Sequence, residues 1–160
     1  MINDQHILLV EDDESLQILI EKLLKNNNYI VSKANNINES EKLLKLFIFD
    51  LIILDVMLPD STGLDFYRDH IKDRINTPVI FLSALSNVDD RVTGLELGAD
   101  DYIGKPFDSR ELLLKIKKNI LKKQSADTVK LGIDTEFNLK KEQLQFKGNK
   151  ISLSSNEVKI

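Results

Sequence analysis

Four places in this sequence carry side chains able to hold a metal ion and receive a transferable anionic group: Glu11-Asp12-Asp13, Asp55, Ser83 and Lys105. Carboxylates gathered in one crevice repel one another unless a cation lies between them. Oxygen ligands in an incomplete protein cage suit hydrated Mg²⁺. Asp12 and Asp55 are expected as direct ligands, with Glu11 acting directly or through water and the backbone carbonyl of Met57 as a further oxygen. An aspartate beside such an ion can also attack phosphorus, because the ion draws charge from the phosphoryl oxygens while positioning does the rest. The product would be an acyl phosphate on Asp55. The Ser83 hydroxyl could then donate to one phosphoryl oxygen, and the compact Lys105 ammonium could pair with another.

Singly, these residues have plainer roles. An acidic run before a helix usually stabilises its N-terminus, and Asp13 and Glu14 are expected to do so. A lone Asp at a strand end is more often a turn or cap residue, and a lone Ser or Lys carries little signal. Tyr102 alone reads as an edge-strand aromatic. His6 and His70 are isolated and read as structural or solvated.

What gives the set meaning is a fold that would bring its members together. Five short apolar runs, His6–Val10, Tyr29–Ala34, Leu51–Leu54, Pro78–Leu82 and Asp101–Ile103, alternate with helix-periodic segments. That alternation predicts a parallel sheet covered by helices on both faces, the third and fourth runs central and the second and fifth at the edges. Such sheets bind ligands outside the carboxyl ends of their strands, where the winding reverses. All four chemical positions end or follow a run. Leu16, Leu19, Ile20, Leu23 and Leu24 form one predicted core stripe, and Leu112, Leu113, Ile116 and Ile120 another. Asn36 to Lys45 reads as a weaker helix, and Asp108 with Glu111 marks the start of the last.

Composition narrows the class further. At 160 residues, 42% hydrophobic and 30% charged, the chain suits a soluble globular protein with one ordinary domain and a piece of a second. The absence of cysteine excludes disulfides and thiolate chemistry. The longest apolar stretch, Leu46 to Leu58, is broken by Asp50 and Asp55 and is too short to span a bilayer. The N-terminus lacks the basic start of a secretion signal, so a cytoplasmic protein without a membrane partner is expected. Residues 1–121 carry 14 Lys and Arg against 21 Asp and Glu, which argues against nucleic-acid binding by this part. Residues 122–128 read as a polar linker. Beyond it, Val129–Ile133, Phe137–Phe146 and Lys150–Leu153 alternate like a short antiparallel meander, and Ser154 to Glu157 opens a helix with a capping box. A helix cut in its first turn is not expected at a natural domain end.

The motifs LLVEDDES, LIILDVMLPDSTGLD, PVIFLSA and GLELGADDYIGKPF, in this order, resemble the response-regulator receiver family over nearly all of residues 4–121. The resemblance implies a flavodoxin-like, doubly wound α/β fold, a five-stranded parallel sheet of order 2-1-3-4-5. It makes Glu11 and Asp12 the acidic pair, Asp55 the phosphorylated residue, Ser83 the switch hydroxyl, Lys105 the phosphate-pairing lysine and Tyr102 the switch aromatic. Pro59 and Gly63 fit the turn after the acceptor, and Lys105-Pro106 would be cis. Ser83 stands where threonine is commoner and lacks the methyl that restricts a rotamer. A sensor histidine kinase is the implied phosphodonor.

The tail, ending in ISLSSNEVKI, resembles the start of the winged-helix effector domain of the OmpR/PhoB-type subfamily, so residues 129–160 would be a fragment of it. The DNA-reading helix and wing are not in this sequence, and promoter binding would need them. Subfamily members dimerise through the face of the fourth helix, fifth strand and fifth helix. Here Arg91, Asp100, Asp101, Glu111, Lys115 and Lys118 offer charges of both signs for that interface, though they also read as ordinary solvated helix charges. Two other classes compete. A phosphatase of the haloacid-dehalogenase type also uses an Asp nucleophile and Mg²⁺, but Met57 stands where its second Asp belongs. A degenerate receiver serving only as a scaffold would not retain the intact acidic pair, acceptor, hydroxyl and lysine.

Overall fold

Strands and helices alternate as the apolar runs require: β1 (His6–Val10), α1 (Glu14–Asn26), β2 (Ile30–Ala34), α2 (Ile37–Leu46), β3 (Leu51–Asp55), α3 (Gly63–Phe66), β4 (Val79–Ala84), α4 (Val88–Glu96), β5 (Asp101–Lys105) and α5 (Ser109–Leu131). A π-helical turn, Tyr67–Ile71, prolongs α3. The computed structural model describes residues 4–84 and 88–131 and the segments 135–138, 143–146 and 149–151.

Residues 1–120 form one unit, built on a parallel sheet of order β2-β1-β3-β4-β5. Successive side chains of a strand point to opposite faces, and here both faces are buried. Leu8, Val10, Ile52, Leu54, Val79 and Phe81 pack with Phe49, Leu64, Phe66 and Ile71 on the face of α2 and α3. Ile7, Leu9, Leu51, Ile53, Ile80, Leu82 and Ile103 pack with Ile20 and Leu24 of α1 and Leu112, Ile116 and Ile120 of α5 on the other. Full burial on two faces explains why β3 reads LIILD without alternation. Among the described residues no helix is long and apolar enough to cross a membrane.

Several expectations need correction. Leu19, expected in the α1 core stripe, is 58% exposed, and the buried positions are Gln17, Ile20 and Leu24. The helix presents a narrower face to the sheet than five leucine and isoleucine positions suggested. Residues 122–128, expected as a linker without periodicity, are helical, because Lys, Gln and Ala propagate a helix and no Gly or Pro intervenes before Gly132. Val129 to Leu131 belong to the same helix and not to a strand. Strand β4 runs on to Ala84 and β5 to Lys105, since sheet pairing extends past the apolar residues.

The second unit, residues 121–160, contains three short antiparallel strands in the order β6 (Thr135–Asn138), β7 (Gln143–Phe146) and β8 (Asn149–Ile151). The helix expected at Ser154 to Glu157 lies outside the described residues.

At the amino ends of the strands, His6 packs on Phe47 and Phe49 and its Nε2 lies 2.7 Å from Ser32 Oγ, while its N–H donates to Asp50 Oδ2 at 2.7 Å. Burial holds the His6 imidazole below its ordinary value, against an opposing pull from Asp50. A folded-state value below the unfolded one favours the neutral ring in the native protein. Its stabilisation is therefore complete above the ordinary value of 6.5 and is lost as pH falls through the lowered one. Urea unfolding between about pH 7.5 and about pH 5.5 should show a larger loss of stability for the wild type than for His6→Gln. Equal losses would show that the ring does not titrate abnormally.

Candidate functional site

Strand parity sorts the chemical residues into two rows. Glu11, Asp55 and Lys105 continue the rows of Ile7 and Leu9, Leu51 and Ile53, and Ile103, which face α1 and α5. Ser83 follows Val79 and Phe81 on the opposite face, and Tyr102 packs there as well. Register carries these rows to one end of the sheet, pairing Asp55 with Leu82, Ser83 with Gly104 and Ala84 with Lys105.

The first row closes into an ion cluster. Lys105 Nζ donates to Glu11 Oε2 at 2.8 Å and to Asp55 Oδ2 at 3.0 Å. Glu11 is 0% and Asp55 3% exposed, whereas Asp12 lies open to solvent. One carboxylate oxygen from each of Glu11, Asp12 and Asp55 falls within 4.8 Å of the other two. The remaining oxygens are partly spoken for: Asp13 N–H donates to Glu11 Oε1 at 3.0 Å and Met57 N–H to Asp55 Oδ1 at 3.1 Å. Asp13 caps α1, accepting from Leu16 N–H at 3.0 Å, the plain role expected of it.

The electrostatics are unbalanced. Burial pushes the Glu11 carboxyl up to about 7, opposed by the Lys105 ammonium and the Asp13 N–H and reinforced by the charge of Asp55. Burial alone would lower Lys105, but its hydrogen bonds to Glu11 and Asp55 prevail and raise it above its ordinary value. Three carboxylates share one ammonium, so a hard divalent cation with oxygen ligands fits the set.

The second row is short of partners. The hydroxyls of Ser83, 1% exposed, and Tyr102 are buried with no hydrogen-bond partner among the described residues. The Lys105-Pro106 bond is cis.

Of the residues expected at a dimer face, Asp101 is held by Lys118 at 2.8 Å and Lys115 at 3.4 Å, and Lys115 also reaches Glu111 at 3.1 Å. Asp100 Oδ2 accepts from Val79 N–H at 2.9 Å. Arg91, Tyr102, Glu111 and Lys115 line one cavity of about 340 Å³. His6 lies at the far end of β1, and His70 Nδ1 pairs with Glu41 at 3.3 Å, so neither histidine joins the cluster. Sequence reasoning missed Gln17 and Asp60, which hold the loops of the site. An amide in the buried phase of α1 was the available signal for the first, whereas Asp60 after Pro59 looked like an ordinary turn residue.

Residues 7–117 match the response regulator receiver domain, and the chain belongs to that family, a component of two-component systems. Among curated relatives it is similar to protein PetR of Rhodobacter capsulatus, 41% identical over 111 residues, covering 69% of this chain and 46% of that protein. It is also similar to the transcriptional regulatory protein DltR of Streptococcus agalactiae, 36% identical over 155 residues, covering 94% of this chain and 68% of DltR. The chain thus spans about half of PetR and about two thirds of DltR. Among solved structures, the receiver domain of the TMAO respiratory system response regulator TorR superposes with TM-score 0.70 at 33% identity, over 74% of this chain and 98% of that one. The non-phosphorylated HemR receiver domain of Leptospira biflexa gives 0.67 at 38% identity, over 73% and 94%.

Gly63 sets the loop that follows Asp55. A Cβ there would collide with the Asp55 carbonyl oxygen and crowd Leu54 at 3.2 Å. Gly63→Ala should cost about 1–3 kcal/mol in urea unfolding. Unchanged stability would mean that the loop after β3 has slack.

Proposed function

We propose that Asp55 accepts a phosphoryl group from the phosphohistidine of a sensor kinase, in a reaction that depends on Mg²⁺. The observation that carries this proposal is the Lys105 ammonium held between Glu11 and Asp55, at the end of the sheet where a buried Ser83 hydroxyl on the other face has no hydrogen-bond partner among the described residues. Glu11, Asp12, Asp55 and the Met57 carbonyl would hold the ion. When bound, Mg²⁺ supplies charge neutralisation to the phosphoryl oxygens.

The chain's own residues do the rest. As the bond from an Asp55 oxygen to phosphorus forms, the P–N bond of the donor breaks and the leaving imidazole takes a proton from solvent. Lys105 shifts from the carboxylate to a phosphoryl oxygen, and Ser83 donates to another. Drawing Ser83 inward vacates space on the face it shares with Tyr102, whose ring follows. The protein acts as a phosphoacceptor switch that assists its own phosphorylation and dephosphorylation, not as a turnover enzyme.

Output would pass through α4, β5 and α5 to dimerisation. Val88, Val92 and Leu95 of α4 are all exposed, which adds apolar area to the charged residues Arg91, Asp100, Asp101, Glu111, Lys115 and Lys118. We assign residues 1–121 to the receiver and 129–160 to the start of an OmpR/PhoB-type winged-helix domain, joined through 122–128. The similarity to DltR along 94% of this chain supports that assignment. Promoter DNA would be a partner only of a protein carrying the rest of that domain, and the location would be cytoplasmic.

Incubation with a small phosphodonor and Mg²⁺ should add one phosphoryl mass to the wild type and none to Asp55→Asn. An adduct that persists in Asp55→Asn, or steady turnover of phosphomonoesters, would refute the assignment. Phosphorylated wild type should sediment as a dimer, and Val92→Asp should weaken dimerisation about tenfold or more while leaving the phosphoryl adduct intact. Dimers unaffected by this change would place the interface elsewhere.

A further inference from the structure

Gln17 and Asp60 lie outside the ion cluster, yet both reach the same stretch of backbone. The Gln17 side chain is buried, and its Nε2 lies 2.9 Å from the Glu11 carbonyl oxygen, 3.1 Å from Asn35 Oδ1 and 3.3 Å from the Ala34 carbonyl oxygen. Glu11 N–H donates to the same Ala34 carbonyl at 3.1 Å. The backbone of Glu11 is therefore tied on both sides to the end of β2.

From the other direction, Asp60 Oδ1 accepts from Ile37 N–H and Oδ2 from Asn38 N–H, each at 3.1 Å. Burial opposes ionisation of this carboxyl, but the N–H groups of Ile37, Asn38, Asp60 and Ser61 together hold it below the usual carboxylate range. It binds as an anion at the N-terminus of α2, where donors and dipole both favour it.

The stretch between these two ties has its own internal lock. Asn36 Oδ1 accepts from Glu39 N–H at 2.8 Å, Glu39 Oε2 accepts from Asn35 N–H at 2.7 Å, and the buried Ser40 hydroxyl donates to the Asn36 carbonyl at 2.9 Å. A reciprocal cap of this kind fixes a helix start.

We propose that residues 34–38 are a brace for the metal site, and that Gln17 and Asp60 are the positioning residues that fasten the acidic loop and the acceptor loop to it. This rests on the phosphoacceptor function proposed above. Asp12 stands between Glu11, whose carbonyl Gln17 grips, and Asp13, which caps α1, so its carboxylate is aimed by its two neighbours. Met57 lies on the loop whose outer turn Asp60 pins. Neither Gln17 nor Asp60 touches the ion; each acts through the backbone of residues that do.

Gln17→Met keeps the length and removes the donor, and Asp60→Ala removes the clasp. Each should raise the Mg²⁺ dissociation constant of the unphosphorylated protein about tenfold, read by calorimetric titration. In metal-free protein, amide hydrogen exchange should speed up at Glu11 in the first variant and at Ile37 and Asn38 in the second. Thr77→Val is the control: it deletes the buried hydrogen bond to the Phe49 carbonyl at the amino end of the sheet. It should lower stability and leave Mg²⁺ affinity at the wild-type value. Wild-type affinity in both site variants, or an equal loss in Thr77→Val, would overturn the brace alone. A wild type that takes up no Mg²⁺ would overturn the phosphoacceptor function and the brace with it.

Discussion

The ammonium of Lys105 sits between two carboxylates that the sheet has buried, and the geometry of the site follows from that contact. Glu11 and Asp55 are buried at the end of the sheet, where an unpaired charge would be costly. Lys105 supplies one positive charge to the pair, and Asp12 adds a third carboxylate nearby. An arrangement that leaves negative charge in excess is a weak source of stability. It does, however, suit a small dication, and on the proposed function a lysine already within 3.0 Å of Asp55 Oδ2 is close to where a transferred phosphate would need it.

That contact is possible only because strand alternation runs through to the last residue. Glu11, Asp55 and Lys105 come from sequence positions up to 94 apart, and each keeps the parity of the core residues before it. A slip of one residue in β3 or β5 would send Asp55 or Lys105 to the opposite face, beside Ser83. Such a slip would merely exchange Leu51 and Ile53 for Ile52 and Leu54, so register is held by the polar residues that bound the run, Asp50, which accepts from the His6 backbone N–H, and Asp55, which pairs with Lys105. The apolar strands position the chemistry although none of their apolar side chains takes part in it.

Strand parity and apolar runs are local properties, and the features that depend on them were legible in the sequence. The parallel sheet, its two covered faces and the gathering of Glu11, Asp12, Asp55, Ser83 and Lys105 at one end followed from short apolar runs ending in polar residues, whereas the strand order came from the family resemblance. What was not legible depended on contacts between segments. Leu19 has the right chemistry and spacing for the core, but the width of the buried stripe on α1 is set by the sheet beneath it. Gln17 is polar in the buried phase of α1, and only the positions of Ala34 and Asn35 explain why it is tolerated there. Residues 122–128 lost their apolar periodicity without losing helix propensity, and the two properties separate wherever a helix leaves the core.

The two rows also explain how a charge change at Asp55 could be felt elsewhere. Glu11, Asp55 and Lys105 belong to the face of α1 and α5, whose helices bury Ile20, Leu24, Leu112, Ile116 and Ile120 against the sheet. Ser83 and Tyr102 belong to the other face, where α4 buries only Gly94, set against Phe81, and leaves Val88, Val92 and Leu95 in solvent. A perturbation entering on the first face meets a tightly packed core and has little room to move it. One that pulls the Ser83 hydroxyl across the end of β4 reaches a helix held by few buried side chains. An element with few buried contacts has the smaller free energy of displacement, so on the proposed function α4 is where an acyl phosphate would change the surface most.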